Sequence, residues 1–174
     1  LENRSQREAS VNMIGNETPK ITIVCPSYNH AKFVATFIKS VQSQTLQDFE
    51  LIIVDDSSSD NNLKKINQVR DERISVIKHD FNEGINSALI DAISHARSDY
   101  CVFMGSDDVM EPRHLECSYN YLENNHEVDV FYSSLSLIDD DGNSLPDKKG
   151  EYVRGNSDRF GLLRSMFFDG NQLL

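Results

Sequence analysis

Two pairs of adjacent aspartates, Asp55-Asp56 and Asp107-Asp108, are the residues of this chain best placed to do chemistry, because each pair follows a short apolar run. The runs are Leu51–Val54 and Tyr100–Met104, with the polar strings Asp55-Asp56-Ser57-Ser58-Ser59-Asp60 and Gly105-Ser106-Asp107-Asp108 after them. Carboxylates gathered at one edge repel one another unless a cation lies between them. Hard divalent cations take oxygen ligands and keep positions open for phosphate oxygens. The pattern therefore points to Mn2+ or Mg2+ and a phosphorylated ligand. Adjacent side chains at a strand end point in different directions, so one of Asp55 and Asp56 is expected to cap the turn while the other faces a cleft. After a third run, Ile21–Cys25, comes Pro26-Ser27-Tyr28-Asn29. Tyr28 offers an aromatic face and a hydroxyl, although alone it reads as a packing residue. That turn has neither the glycines of a dinucleotide-binding loop nor a P-loop, so phosphate needs a holder other than a backbone cradle.

The elements that must position these residues follow from apolar periodicity. Ile21–Cys25, Leu51–Val54, Ile74–Ile77 and Tyr100–Met104 read as strands, and the second is apolar throughout, as a strand covered on both faces should be. Between them Phe33, Phe37, Ile38 and Val41 form one helical face, and Leu63, Ile66 and Val69 another, with Asp60 as its cap. Ile85, Ala88, Leu89, Ala92, Ile93 and Ala96 give the strongest helix. Pro112 reads as the first residue of a fourth helix carrying Leu115, Tyr119 and Leu122. The expected fold is α/β, Rossmann-like, with a mostly parallel central sheet and helices on both faces. In the order 3-2-1-4, Tyr28, Asn29 and Asp108 line one crevice at the carboxyl edge, with Asp56 one strand away. Further on, Val128–Ser133 is a fifth strand candidate. Asp139-Asp140-Asp141-Gly142-Asn143 reads as a solvated hairpin turn, Lys148–Gly150 as a turn and Phe160–Phe168 as a short helix.

The formal net charge of −11 over 174 residues argues against nucleic acid and against an anionic membrane surface as partners. No apolar run approaches membrane-spanning length. Cys25, Cys101 and Cys117 form no Cys-x-x-Cys pair and read as structural thiols in a reducing setting. The five histidines make no metal-ligand spacing; His30 and His79 flank strand ends. Residues 1–19 are polar and aperiodic and read as a flexible lead-in or linker, with one domain over 20–174.

Taken in order, Pro26-Ser27-Tyr28-Asn29, Ser43-Gln44-Thr45, Phe49 through Asp60, Asn82-Glu83-Gly84, and Ser106-Asp107-Asp108 with Pro112 resemble the family 2 glycosyltransferases of GT-A fold. The resemblance runs from about Lys20 to Asn125. It implies a metal-dependent, inverting transfer of sugar from a nucleotide-diphosphosugar, often UDP-linked, to a hydroxyl of a glycan or lipid-linked acceptor. Tyr28 and Asp56 match positions that flank the nucleobase, with Asp56 accepting a base N–H. Asp108 matches the metal ligand, Asp107 a residue near the ribose or sugar, and Pro26 a structural position near the nucleotide. Asn29, Asn82 and Gly84 belong to the same nucleotide-sugar set. The chain departs from the family pattern at Gly105, where an aspartate is usual, and at Leu89-Ile90, where Arg-Asn is frequent.

In this family the catalytic base is a carboxylate well downstream, expected here beyond Leu174. The chain as given is therefore expected to bind donor and to transfer sugar poorly. The resemblance also implies polysaccharide or glycan synthesis in a cytoplasmic setting, peripheral at the membrane through regions outside this chain. Two other readings compete. A receiver domain would carry its acidic pair after the first strand and a phospho-acceptor after the third, which does not match. A non-catalytic or degenerate nucleotide-sugar-binding module would explain Gly105 and Leu89-Ile90.

Overall fold

Each apolar run forms a strand, and the strands pair in parallel. The computed structural model describes residues 18–131, 133 and 135–145, in two units that meet after Phe131. In the first unit β1 is Ile21–Ser27, α1 Val34–Gln42, β2 Phe49–Asp55, α2 Asn62–Ile66, β3 Ile74–Lys78, α3 Ile85–Ser94, β4 Cys101–Phe103 and α4 His114–Glu123. The sheet order is β3-β2-β1-β4, as expected from the sequence. The register runs Ile23↔Leu51 and Ile23↔Val102 across the centre.

Helices cover both faces because both faces of β1 and β2 are apolar. On one, Ile21, Ile23, Cys25, Phe49, Leu51 and Ile53 pack with residues of α1, with Ile66 of α2 and with Leu115 of α4. On the other, Val24, Ile52, Val54 and Ile77 meet Ala88 and Ala92 of α3. The small alanines let α3 lie close on β1 and β2, so the buried stripe is narrower than periodicity suggests. Ile85 and Ile93, expected to face inward, are exposed. α3 does not extend over β4, whose Cys101 and Phe103 on that side are exposed too. Cys101 is therefore an edge thiol; Cys25 is the buried one.

Pro112 does not open α4. It lies in a turn ahead of the helix, in which the His114 N–H bonds the Glu111 carbonyl at 2.9 Å, and Arg113 is the N-cap. The described part of Val128–Ser133 forms no strand. A turn closes after α4 from Val128 N to Asn125 O, and the Phe131 ring packs on Tyr121 with centroids 5.0 Å apart. In the second unit, Ile138 and Ser144 form an antiparallel bridge around the expected Asp-Gly turn. Asp139 caps that turn through the Asp141 and Asn143 N–H groups, at 3.0 and 2.8 Å. Lys148–Gly150, Phe160–Phe168 and most of the lead-in lie outside the described residues.

Candidate functional site

The crevice begins at Pro26. The N–H of Thr22 donates to Tyr100 O at 2.9 Å, and Val24 O accepts from Met104 N at 3.2 Å. Even-numbered residues of β1 thus aim their backbone at β4. Pro26 is the next in line and has no N–H, so the ladder stops at Val24↔Phe103.

Polar side chains then tie the strand ends together. The His30 Nδ1 lies 2.7 Å from Ser106 Oγ, which donates to Ser27 Oγ at 2.7 Å. Asn62 Nδ2 donates to the same Ser27 Oγ at 2.8 Å and to Asp55 Oδ1 at 2.7 Å. Asp55 Oδ2 accepts from Ser58 N at 3.1 Å, which makes Asp55 the turn-capping member of its pair. Asp60, expected as the cap of α2, stands one residue ahead of the N-cap Asn61; its Oδ1 accepts from Asn62 N at 2.8 Å and its Oδ2 holds Ala31 N at 2.9 Å.

Asn29 has a left-handed backbone, φ 56°, and its Oδ1 accepts from Ser59 N at 2.8 Å. Its N–H donates to Ser58 Oγ at 2.9 Å. It clips the loops after β1 and β2 together, so a ligand contact would fall to its Nδ2. Tyr28 beside it exposes 43% of its surface, enough to offer a ring face.

Asp56 is the other member of the first pair, and it is almost fully buried. Its Oδ1 accepts from Glu83 N at 2.8 Å and faces His79 Nδ1 at 2.7 Å, while its Oδ2 accepts from Gly84 N at 2.8 Å. Burial pushes this carboxyl up, but the Glu83 and Gly84 N–H groups and the His79 ring outweigh it and hold it below the ordinary aspartate range. A carboxylate has about four acceptor directions, so these contacts leave one on Oδ2.

Asn82 Oδ1 also accepts from Gly84 N, at 3.1 Å. Gly84 has φ 86° and ψ 162°, a conformation essentially reserved for glycine. A Cβ there would meet nothing within 4 Å, so only backbone strain opposes a side chain. Gly84→Ala is expected to lower stability by about 1–3 kcal/mol, read as a drop in urea midpoint at unchanged m-value. An unchanged midpoint would show that the loop adopts another conformation.

Asp107 and Asp108 fold back over Gly105. A Cβ at Gly105 would lie 2.7 Å from Asp107 Oδ1 and 3.0 Å from Asp108 Oδ2, so both carboxylates converge on one point above bare backbone. Burial and then the Asp107 charge push the Asp108 carboxyl up, partly offset by the Gly105 backbone bond and His30. The Cys25 thiol beneath is pushed well up by burial first and then by the same two aspartates. This strained pair of hard oxygen donors suits a divalent cation. Among the described residues no cluster of three or more His, Cys, Asp or Glu could hold a metal alone.

The loop that follows hangs on Gln44. Its Oε1 accepts from Leu115 N at 3.0 Å and its Nε2 donates to Glu111 O at 2.8 Å. Ser40 Oγ takes Met110 N at 3.0 Å. At the Leu89-Ile90 departure the surface is apolar, with Ile90 exposed.

In the sequence Gln44 stands out only as part of a motif, and His79 and His30 only as residues flanking strand ends. Asp91, which meets His79, was missed. Their contacts span 12 to 76 residues, and no local pattern announces them.

The family model for glycosyl transferase family 2 matches residues 22–169. The chain belongs to that family. It is 33% identical over 144 residues to an uncharacterized glycosyltransferase of Methanocaldococcus jannaschii, covering 80% of this chain and 50% of the relative. It is 30% identical over 118 residues to the Escherichia coli UDP-Glc:alpha-D-GlcNAc-diphosphoundecaprenol beta-1,3-glucosyltransferase WfgD, covering 68% of this chain and 46% of that protein. The chain thus spans about half the length of the curated relatives it matches. Among solved structures, S. aureus TarS bound to UDP aligns with TM-score 0.58 and 24% identity over 62% of this chain and 33% of its own. The mannosyltransferase PcManGT of Pyrobaculum calidifontis, with GDP-Man and Mn2+, aligns with TM-score 0.53 and 20% identity over 61% and 32%. These likenesses establish the GT-A fold: a family 2 sheet with its acidic turns at the carboxyl edge.

Proposed function

We propose that this glycosyltransferase domain binds a nucleotide-diphosphosugar, UDP-linked in the first instance, through a divalent cation held at Asp108. The observation that carries the reading is the convergence of Asp107 and Asp108 over Gly105 at the carboxyl edge, where the β1–β4 ladder ends at Pro26. Tyr28 would supply the stacking face for the base and Asp56 the acceptor for a base N–H. Asp107 would sit near the ribose or sugar, while Asn29, Asn82 and Gly84 shape the pocket walls. With few protein ligands, the remaining coordination falls to diphosphate oxygens and water, the habit of Mg2+ and Mn2+ in nucleotide sites. The bound cation would offset charge developing on the departing diphosphate.

The transfer in this reading inverts the anomeric centre and delivers the sugar to a hydroxyl of a glycan or lipid-linked acceptor. The residues of 18–145 are assigned the donor and metal parts only; none is assigned the base. No described helix is long and apolar enough to cross a membrane.

Thermal melting with UDP, GDP and their Mn2+ complexes tests the proposal. UDP is expected to raise the melting temperature with Mn2+ or Mg2+ and to have little effect in EDTA, by mass action on the native state. Equal shifts in EDTA would overturn the metal's part. No shift with any of these nucleotides would overturn the donor reading.

A further inference from the structure

His79 is completely buried, and each of its ring nitrogens meets a carboxylate. Nδ1 lies 2.7 Å from Asp56 Oδ1, at the end of β2, and Nε2 lies 3.0 Å from Asp91 Oδ2, on α3. Its backbone N–H is fixed to Asp55 O at 2.9 Å. An ionised carboxylate only accepts. Each ring nitrogen is tied to an acidic side chain, and the ring can neither rotate nor flip without losing a hydrogen bond. Such an arrangement is costly to bury unless it is fully hydrogen-bonded. Packing alone would be better served by an apolar side chain of similar volume.

We propose that Asp91 and His79 are positioning residues that fix Asp56 as the selector for nucleobases carrying a ring N–H. The inference rests on the proposed part of Asp56 in base recognition. Asp56 is held on three sides, by His79, Glu83 N and Gly84 N. This pins its plane and leaves a single acceptor direction on Oδ2. Uracil N3 and guanine N1 carry a hydrogen to give to such an acceptor; cytosine N3 presents a lone pair instead. A site built around a fixed acceptor rejects a ligand that lacks the matching donor, because a buried polar group is then left unpaired. Without the ring, Asp56 could turn toward solvent or toward an exocyclic amino group, and discrimination would fall. Asp91 reaches across from the helix and sets the ring's orientation, as a carboxylate behind an imidazole commonly does.

Calorimetry on the full chain with Mn2+, using UDP, GDP and CDP, tests this. The wild type is expected to prefer UDP or GDP over CDP by about 100-fold or more, as follows when a buried acceptor is left without its donor. Asp91→Ala and His79→Gln should bring that preference to within about tenfold of parity while leaving CDP affinity nearly unchanged. Asp91→Asn keeps an oxygen that accepts from Nε2 and should recover most of the preference. If His79→Gln does not fold, Asp91→Ala still gives the answer, since Asp91 lies at the partly exposed end of the relay. An unchanged preference in Asp91→Ala overturns the inference and leaves Asp56 as base acceptor intact. An equal loss for all three nucleotides also overturns it, because that is the mark of a merely structural contact. A wild type without any preference removes the assignment of Asp56, and the relay's purpose with it.

Discussion

Asp108→Ala is expected to abolish the metal-dependent stabilisation by UDP while leaving the unliganded fold as stable as the wild type or more so. At a UDP concentration about 100 times its Kd, the wild type with Mn2+ gains about 2.7 kcal/mol. The variant should gain almost none of this, since removing a first ligand costs at least the 10–100-fold in metal affinity seen for outer partners. The unliganded comparison carries its own sign. Burial and the neighbouring Asp107 charge raise the Asp108 carboxyl, so its ionised form costs the folded state stability. The variant's advantage should therefore be present above the folded-state pKa. It should vanish as pH falls through that value toward the unfolded aspartate value of about 3.9. Melting curves with Mn2+, with EDTA and across pH supply both readings. A variant that keeps the wild-type UDP shift would remove Asp108 from the metal site.

Gln44→Ala is expected to cost about 2–4 kcal/mol and to loosen the loop that bears Asp107 and Asp108. Gln44 is 1% exposed and satisfies Leu115 N and Glu111 O, both on the far side of the acidic turn. Each buried group left unpaired costs about 1–3 kcal/mol, and a truncated side chain adds a cavity. Urea unfolding gives the stability loss. Proteolysis between Gly105 and Arg113 gives the loosening, because a loop released from its anchor opens more often. A drop below about 1 kcal/mol with unchanged proteolysis would mean that the Ser40–Met110 bond and core packing hold the loop without Gln44.

Much of the fold was legible because buried parallel strands write themselves as unbroken apolar runs. Leu51–Val54 announced β2 directly, and the position of each polar string gave the carboxyl edge; the order β3-β2-β1-β4 came from the Rossmann-like pattern of alternating strands and helices and is the one observed. Periodicity identified α3 but not how much of it is covered. Ile85 and Ile93 share the apolar stripe with Ala88 and Ala92, yet only the alanines meet the sheet. Val128–Ser133 has strand composition, but its described residues pair with no described strand, and a strand needs a partner's ladder as much as its own residues.

The site was legible where side chains follow one another and opaque where they meet across the fold. That one of Asp55 and Asp56 caps the turn could be foreseen from alternation alone; that both are buried could not. That Asp56 would be held by His79, and that Asn29 would spend its acceptor on the Ser59 N–H, could not. These are long-range contacts between loops, and their residue types are equally at home in any solvated turn. Gly105 was read as a departure from the family pattern; in the folded chain it is the bare floor over which two carboxylates close.

The β1–β4 ladder ends at a residue with no hydrogen to donate. A side chain that blocks pairing by bulk can be accommodated by repacking, whereas the tertiary amide nitrogen of Pro26 cannot donate however its neighbours are arranged. Where the ladder ends is thus set by the covalent structure of one residue: Ile23, Val24 and Cys25 could exchange for other apolar residues without supplying the bond that Pro26 cannot make.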